Sequence, residues 1–339
     1  MSRPPILTLP VCARARRLAT ARGDFAVHEA VPPPGTAVRG TALLVPGYTG
    51  SKEDFIALLE PLAGAGFRVV AVDGRGQHET GGPRDEAAYT QAELAHDVLA
   101  QAAAVAAETG GAGGADHAAR TGAPEDGAGG AAGGSGRSGA PAPLHLLGHS
   151  LGGLISRAAV LLDARPFASL TLMSSGPGAI AAAQQARTKL LIDALRVMDM
   201  ESVWQAMREM DARAAAGVVN GAAGTPEVAD IADTPQVPDP IAAFLHRRWM
   251  ATVPEQLIAT GRQLIAEPDR VADLVSLGLP LHVLSGTVDH AWPVPEMERM
   301  AVLLGAHRTV VEGAEHSPNA ERPRETARAL AGFWASVTG

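Results

Sequence analysis

Apolar positions along this chain cluster in short runs separated by longer stretches of mixed character. Residues 25–29, 41–45, 67–72, 144–147, 169–173, 281–285 and 309–311 are compact runs bounded by Gly, Pro, Asp or Ser, and each predicts a strand. Helix-forming segments fill the intervals. One starts at a capping-box-like Ser51 and runs to about residue 62, and others cover 87–107 and 151–163. Two more begin near residues 295 and 322. Strands alternating with helices predict an α/β architecture, a mostly parallel central sheet with helices on both faces.

Two stretches break that rhythm. Residues 177–278 contain no predicted strand, only helical segments near 180–199, 201–215, 240–252 and 254–266, interrupted by a Gly/Pro/Asp-rich stretch near 221–239. The expected organisation is therefore a core in two parts, 1–176 and 279–339, with a helical block at 177–278 inserted between them. Residues 109–143 hold 12 of the 38 glycines, with no aromatic residue and no apolar period. Such a segment buries too little to offset the entropy of ordering it, so it is expected to be a flexible surface insertion. The alternative is an interaction arm.

Composition narrows the class. With 339 residues, 46% hydrophobic and 19% charged, the chain can bury a large core and is not a wholly disordered one. A net charge of −8 argues against a nucleic-acid-binding surface. Cys12 is the single cysteine, which excludes an intrachain disulfide framework and a multi-cysteine zinc site. No apolar run approaches the ~18–20 residues that span a bilayer. Residues 6–13 are apolar and follow Arg3, faintly imitating a signal peptide. The run is short, Pro10 interrupts it, and Arg14, Arg16 and Arg17 follow it, so a cytoplasmic location is expected. Oligomeric state is not legible.

The strongest chemical signal is Gly148-His149-Ser150-Leu151-Gly152-Gly153, with an apolar strand before it and an apolar helix after. In a glycine-rich chain the bare Gly-x-Ser-x-Gly pattern is weak; its context gives it weight. A sharp strand-to-helix turn exposes a strained serine at the end of the sheet, and side chains at ±2 would collide with neighbouring elements. The helix that follows points its amides at the same spot.

A serine hydroxyl needs a base. His316 is the best placed, in the loop between the last strand and the last helix. His145 and His282 lie in strands, His149 is held on the elbow, and His117 falls in the insertion. The base in turn needs a carboxylate to fix its tautomer. Asp289 follows a predicted strand and precedes a proline-started helix, which puts it on the same rim as Ser150 and His316. Its bland reading is a turn or cap aspartate. Acyl transfer also needs oxyanion donors. The Leu151 amide is one candidate and the Tyr48 amide, in Pro46-Gly47-Tyr48-Thr49-Gly50, the other; the bland reading of the latter is a plain turn. The Tyr48 phenol is left open as a further donor. Pocket candidates are His149, Met198, Trp204 and Trp292. Methionines such as Met198, Met200, Met207, Met210 and Met250, with Trp204 and Trp249, suit an adaptable apolar pocket but more often pack helices together.

With these residues in hand, the chain resembles the α/β-hydrolase superfamily, in the branch with a helical cap. The resemblance covers about residues 24–177 and 279–337. It rests on Pro-Gly-Tyr-Thr-Gly-Ser at 46–51, Asp-Gly-Arg-Gly-Gln at 73–77 and Gly-His-Ser-Leu-Gly-Gly at 148–153. Gly-Thr-Val-Asp at 286–289 with Pro293, and Gly-Ala-Glu-His-Ser at 313–317, complete it. It implies Ser150 as nucleophile, His316 as base and Asp289 as acid, with 177–278 as the cap over the site. Asp73 and Arg75 match a family turn read as structural. Two departures stand out. Pro46 stands where many relatives carry histidine, and the 109–143 insertion is not part of the family core.

The expected activity is serine hydrolysis of small apolar esters or thioesters through an acyl-enzyme, with no metal and no organic cofactor. The same fold and triad also serve C–C or amide hydrolysis, perhydrolysis and acyl transfer. A ligand-binding or sensing protein without turnover is the competing class.

Overall fold

The computed structural model describes residues 2–111, 142–221 and 239–338. Eight strands form one sheet: β1 (Ala13–Thr20), β2 (Gly23–Ala30), β3 (Gly40–Val45), β4 (Phe67–Val72), β5 (Leu144–His149), β6 (Ser169–Met173), β7 (Leu281–Gly286) and β8 (His307–Val311). Their order across the sheet is β1-β2-β4-β3-β5-β6-β7-β8. β2 pairs antiparallel with β1 and β4, and every other pairing is parallel.

Helices α1 (Ile56–Gly64), α2 (Gln91–Gly111) and α3 (Leu151–Leu162) follow the early strands. Between β6 and β7 come α4 (Ala182–Val197), α5 (Met200–Gly221), α6 (Pro240–Ala251), α7 (Pro254–Ala266) and α8 (Val271–Val275). The chain then closes with α9 (Val294–Leu304), α10 (Pro318–Glu321) and α11 (Pro323–Thr338).

The period of two along each strand divides the core. Leu43, Leu146, Leu172 and Val283 face one side and pack with α2, α3 and α9. Their neighbours Leu44, Leu147, Met173 and Leu284 face the other and pack with α1 and α11. Both faces of the central strands are therefore apolar, as a parallel sheet covered on both sides requires. A separate cluster, built on Ile192, Leu195, Val203, Trp249, Leu257 and Ile258, holds α4–α7 together.

Three expectations change. No strand was expected before residue 25, yet β1 is there. It is an edge strand whose one deeply buried side chain is Leu18, so it carries no apolar alternation. Its arginines instead enter an ion-pair network: Arg14 and Arg16, with Arg68 of β4, converge on the buried Glu29 carboxylate and, against the effect of burial, hold it down at about 2. Second, α2 runs to Gly111, so residues 109–111 are helical rather than part of the insertion. Residues 112–141 of that insertion, and 222–238 of the Gly/Pro/Asp-rich stretch, lie outside the described residues. Third, the methionines divide: Met200 and Met207 pack on the α4–α7 cluster, whereas Met198, Met210 and Met250 are 41%, 50% and 42% exposed. Among the described residues, no helix is long and apolar enough to cross a membrane.

The topology sets the site. Strands β3, β5, β7 and β8 run parallel, and their registers place Val45 beside Gly148 and Gly286 beside Val311. The loops that carry Gly47, Ser150, Asp289 and His316 therefore leave the sheet along one rim.

Candidate active site

β5 passes into α3 through a single residue. Ser150 has φ 54° and ψ −121°, a conformation strained for a residue with a side chain. Its neighbours are glycines because nothing larger fits. A Cβ on Gly148 would lie 2.2 Å from the Gly152 carbonyl oxygen, and one on Gly152 would lie 2.3 Å from the Val45 carbonyl oxygen. The Ser150 amide still joins the sheet, donating to the Met173 carbonyl at 2.9 Å. The side chain is thus pushed clear of the sheet end while the backbone stays anchored to it.

Ser150 Oγ lies 3.1 Å from His316 Nε2, and His316 Nδ1 lies 2.9 Å from Asp289 Oδ2. Asp289 is held in turn. Its Oδ1 accepts from the Ala291 and Trp292 amides at 2.8 and 3.1 Å, and its carboxylate is fully buried. An ionised carboxylate facing Nδ1 selects the tautomer with the proton there, leaving Nε2 free to accept from the serine hydroxyl. The Trp292 ring lies 6.4 Å from the His316 ring and nearly parallel to it, with its Nε1 donating to the Gly178 carbonyl at 2.8 Å.

His149 does different work. Its Nε2 donates to the His316 carbonyl at 2.8 Å, bracing the loop that carries the imidazole. Burial, then the neighbouring His316, pull its pKa down to about 3, so it stays neutral. The strand histidines are buried too: burial lowers His145 to about 4 and His282 to about 3. His117 lies outside the described residues.

The turn after β3 faces the serine. A Cβ on Gly47 would lie 3.2 Å from Ser150 Cβ. The Gly47 carbonyl accepts from Gly50 N at 3.1 Å and from Gln77 Nε2 at 2.8 Å. The Tyr48 phenol donates to the Leu257 carbonyl in α7 at 2.8 Å, so it is occupied by the helical block and does not face the serine as a free donor. Burial raises its pKa well above the ordinary tyrosine value.

Ser150 and His316 open into a cavity of about 360 Å³ lined also by His149, Ile180, Gln184, Thr188 and Leu264. A second cavity of about 310 Å³ shares Tyr48, Thr49, Gln184 and Thr188 with the first and continues between α4 and α5 past Leu191, Val203, Trp204 and Met207. Of the expected pocket residues, His149 lines the first cavity and Trp204 the second. Met198 lines neither: it sits at the C-terminal end of α4 and points outward. Trp292 lines neither as well: it is fully buried behind His316.

Several residues here carried no signal in the sequence. Arg248 of α6 donates to Asp54 Oδ1 at 2.7 Å and to the Ser2 carbonyl at 2.8 Å, which brings Ser2 to the cavity wall. Asn319 donates to the Asp54 carbonyl at 2.7 Å and ties the turn after His316 to the same place. Among the described residues, no three His, Cys, Asp or Glu side chains converge as a metal site would need.

The sheet order, the strained elbow and the rim of loops define a hydrolase of the α/β class. A model of the Alpha/beta hydrolase family matches residues 42–329, and the chain belongs to that family. No curated protein matches it by sequence. Solved structures match its fold over nearly the whole length. A thermophilic esterase from Thermogutta terrifontis aligns with TM-score 0.64 at 19% identity, covering 96% of this chain and 100% of that one. A carboxylesterase structure from Nitrososphaera gargenis gives TM-score 0.62 at 17% identity, covering 95% and 99%. The enol-lactonase from Burkholderia xenovorans LB400 gives 0.61 at 17%, covering 94% and 99%.

Proposed function

We propose that the protein is a serine hydrolase that cleaves carboxylic esters or thioesters of small apolar substrates. The observation that carries this reading is the continuous chain from Ser150 Oγ through His316 to Asp289, with both links within hydrogen-bond distance. In this reading Ser150 Oγ attacks the acyl carbonyl carbon as His316 Nε2 takes its proton. The tetrahedral oxyanion is held by the amides of Leu151 and Tyr48. Collapse breaks the bond to the leaving alcohol or thiol, which takes the proton back from His316, and an acyl-Ser150 ester remains. Water then repeats the sequence: His316 removes its proton, its oxygen attacks the acyl carbon, and the acid departs as Ser150 is reprotonated. Asp289 stays ionised throughout and stabilises the imidazolium.

One part of the surroundings supports an apolar group on the substrate. The second cavity has an apolar stretch, Leu190, Leu191, Ala194, Val203, Trp204 and Met207, with Arg187, Arg208 and Asp211 also on its wall. In this reading the block at 177–278 acts as the cap that closes over the acyl or alcohol group.

The test is a p-nitrophenyl ester panel with fluorophosphonate labelling. Ser150→Ala is expected to lose at least about a thousandfold in kcat and all labelling. Parent-level turnover by that variant would remove the proposal.

A further inference from the structure

The turn after β4 carries a buried glutamine that the steps above do not use. Gln77 is 4% exposed. Its Nε2 donates to the Gly47 carbonyl at 2.8 Å, and its Oε1 accepts from the Gly74 amide at 3.0 Å. Its backbone is pinned as well: Gln77 N donates to the Gly74 carbonyl, and Thr80 N donates to the Gln77 carbonyl, each at 2.9 Å. With Gly50 N donating at 3.1 Å, the Gly47 carbonyl has both lone pairs engaged.

A peptide unit is planar and trans, so its carbonyl and the following N–H point in opposite directions. Whatever fixes the Gly47 carbonyl therefore fixes the Tyr48 N–H. We propose that Gln77 is a positioning residue: by holding the Gly47 carbonyl on the side away from the serine, it turns the Tyr48 N–H into the space above Ser150. Gly47 lies against Ser150, and Gly47 and Tyr48 both line its cavity. The inference rests on the reading of Ser150 as nucleophile and the Tyr48 amide as oxyanion donor.

The helical block braces this arrangement from two directions. Val253, at the start of α7, donates its N–H to the Gly76 carbonyl at 2.9 Å, next to Gln77. One helical turn further on, the Leu257 carbonyl holds the Tyr48 phenol. Gln77 thus belongs to a frame that fixes one peptide plane, and preorganised amides are what stabilise a developing oxyanion without reorganisation.

The test uses the full chain with Gln77→Ala and Gln77→Glu, p-nitrophenyl butyrate as substrate, and fluorophosphonate titration so that kcat is expressed per reactive serine. Gln77→Ala is expected to lose about 10- to 100-fold in kcat with KM changed less than about threefold. Its affinity for an alkyl trifluoromethyl ketone, which adds to the serine as a tetrahedral adduct, should fall in parallel. Gln77→Glu keeps the shape, but an ionised carboxylate cannot donate to the Gly47 carbonyl, whereas a carboxylic acid can. Its kcat relative to the parent should therefore rise as pH is lowered. Parent-like kcat and ketone affinity in Gln77→Ala, or a loss confined to KM, would overturn the inference. Should Gln77→Ala not fold, the Gln77→Glu ratio decides alone, and a ratio flat with pH is the overturning result. Failure of the underlying reading looks different: the parent's Ser150 would not label and Ser150→Ala would remain active. Labelled Ser150 with unaffected Gln77 variants defeats only the role given to Gln77.

Discussion

Both oxygens of Asp289 are engaged, and with different partners. Oδ1 takes the Ala291 and Trp292 amides and Oδ2 faces His316 Nδ1, all inside a fully buried carboxylate. In the proposed mechanism this residue is worth its charge and its hold on the imidazole tautomer together. Asp289→Asn preserves the shape but presents an amide that can turn its NH₂ toward Nδ1, which selects the opposite tautomer. The expected outcome is a kcat lower by about 10³–10⁴ with KM little changed, read by steady-state kinetics on a short p-nitrophenyl ester. That Ser150, Asp289 and His316 meet on one rim was legible in the sequence because each follows a strand and sits among turn residues. Trp292 and Met198, expected at the pocket, line neither of the two cavities. Side-chain type marks a residue as apolar, but only the packing decides that Trp292 backs His316 and that Met198 faces outward.

At the scale of elements, the strands of the core and the helices around them follow from apolar runs and turn residues, and their boundaries differ from expectation by a few residues. β1 escaped that logic because an edge strand need not alternate, and here it carries charge for Glu29 instead. The contacts that dock the helical block on the core were equally silent. Arg248 and Asp54 are far apart in sequence and belong to no local pattern, yet they form a fully buried ion pair between α6 and the turn Lys52–Phe55. Burial chiefly pushes Asp54 up, with Glu53 adding to it, and Arg248 is the main opposing influence. Arg248→Met would leave that carboxylate enclosed without a partner, and the expected loss is about 3–5 kcal/mol in urea unfolding. The same variant should move α6 and release the Ser2 carbonyl, so the substrate-chain-length profile should shift in the fraction that remains folded.

The whole molecule holds a set of histidines that are buried neutral. His28 and His145 are lowered to about 4, and His149 and His282 to about 3, in each case chiefly by burial. In the unfolded chain these side chains titrate near 6.5. Between 6.5 and the folded values, the unfolded chain binds more protons than the native one, so acid favours unfolding. Each pH unit crossed in that window costs about 1.4 kcal/mol per histidine. Asp73 acts with the opposite sign, since burial pushes it up to about 7 against the pull of Lys52. A group raised in the folded state favours the native fold at low pH and loses that contribution as pH rises toward 7. Asp54 is raised in the same sense, and two such carboxylates against four histidines still leave a net decline on acidification. Urea midpoints measured at pH 7, 6 and 5 should fall steadily, and His282→Gln should flatten the slope. A midpoint independent of pH over that range would contradict the buried neutral state.

The side chains of the proposed relay come from either side of the helical block. Ser150 and the Gly47 turn precede the helical block, whereas Asp289 and His316 follow it. In the proposed mechanism, the nucleophile then emerges from the ribosome long before its base exists. An incomplete nascent product, released early or clipped within α4–α8, would carry an unactivated hydroxyl. On that mechanism, hydrolytic power would arise only once the final strand is added to the sheet.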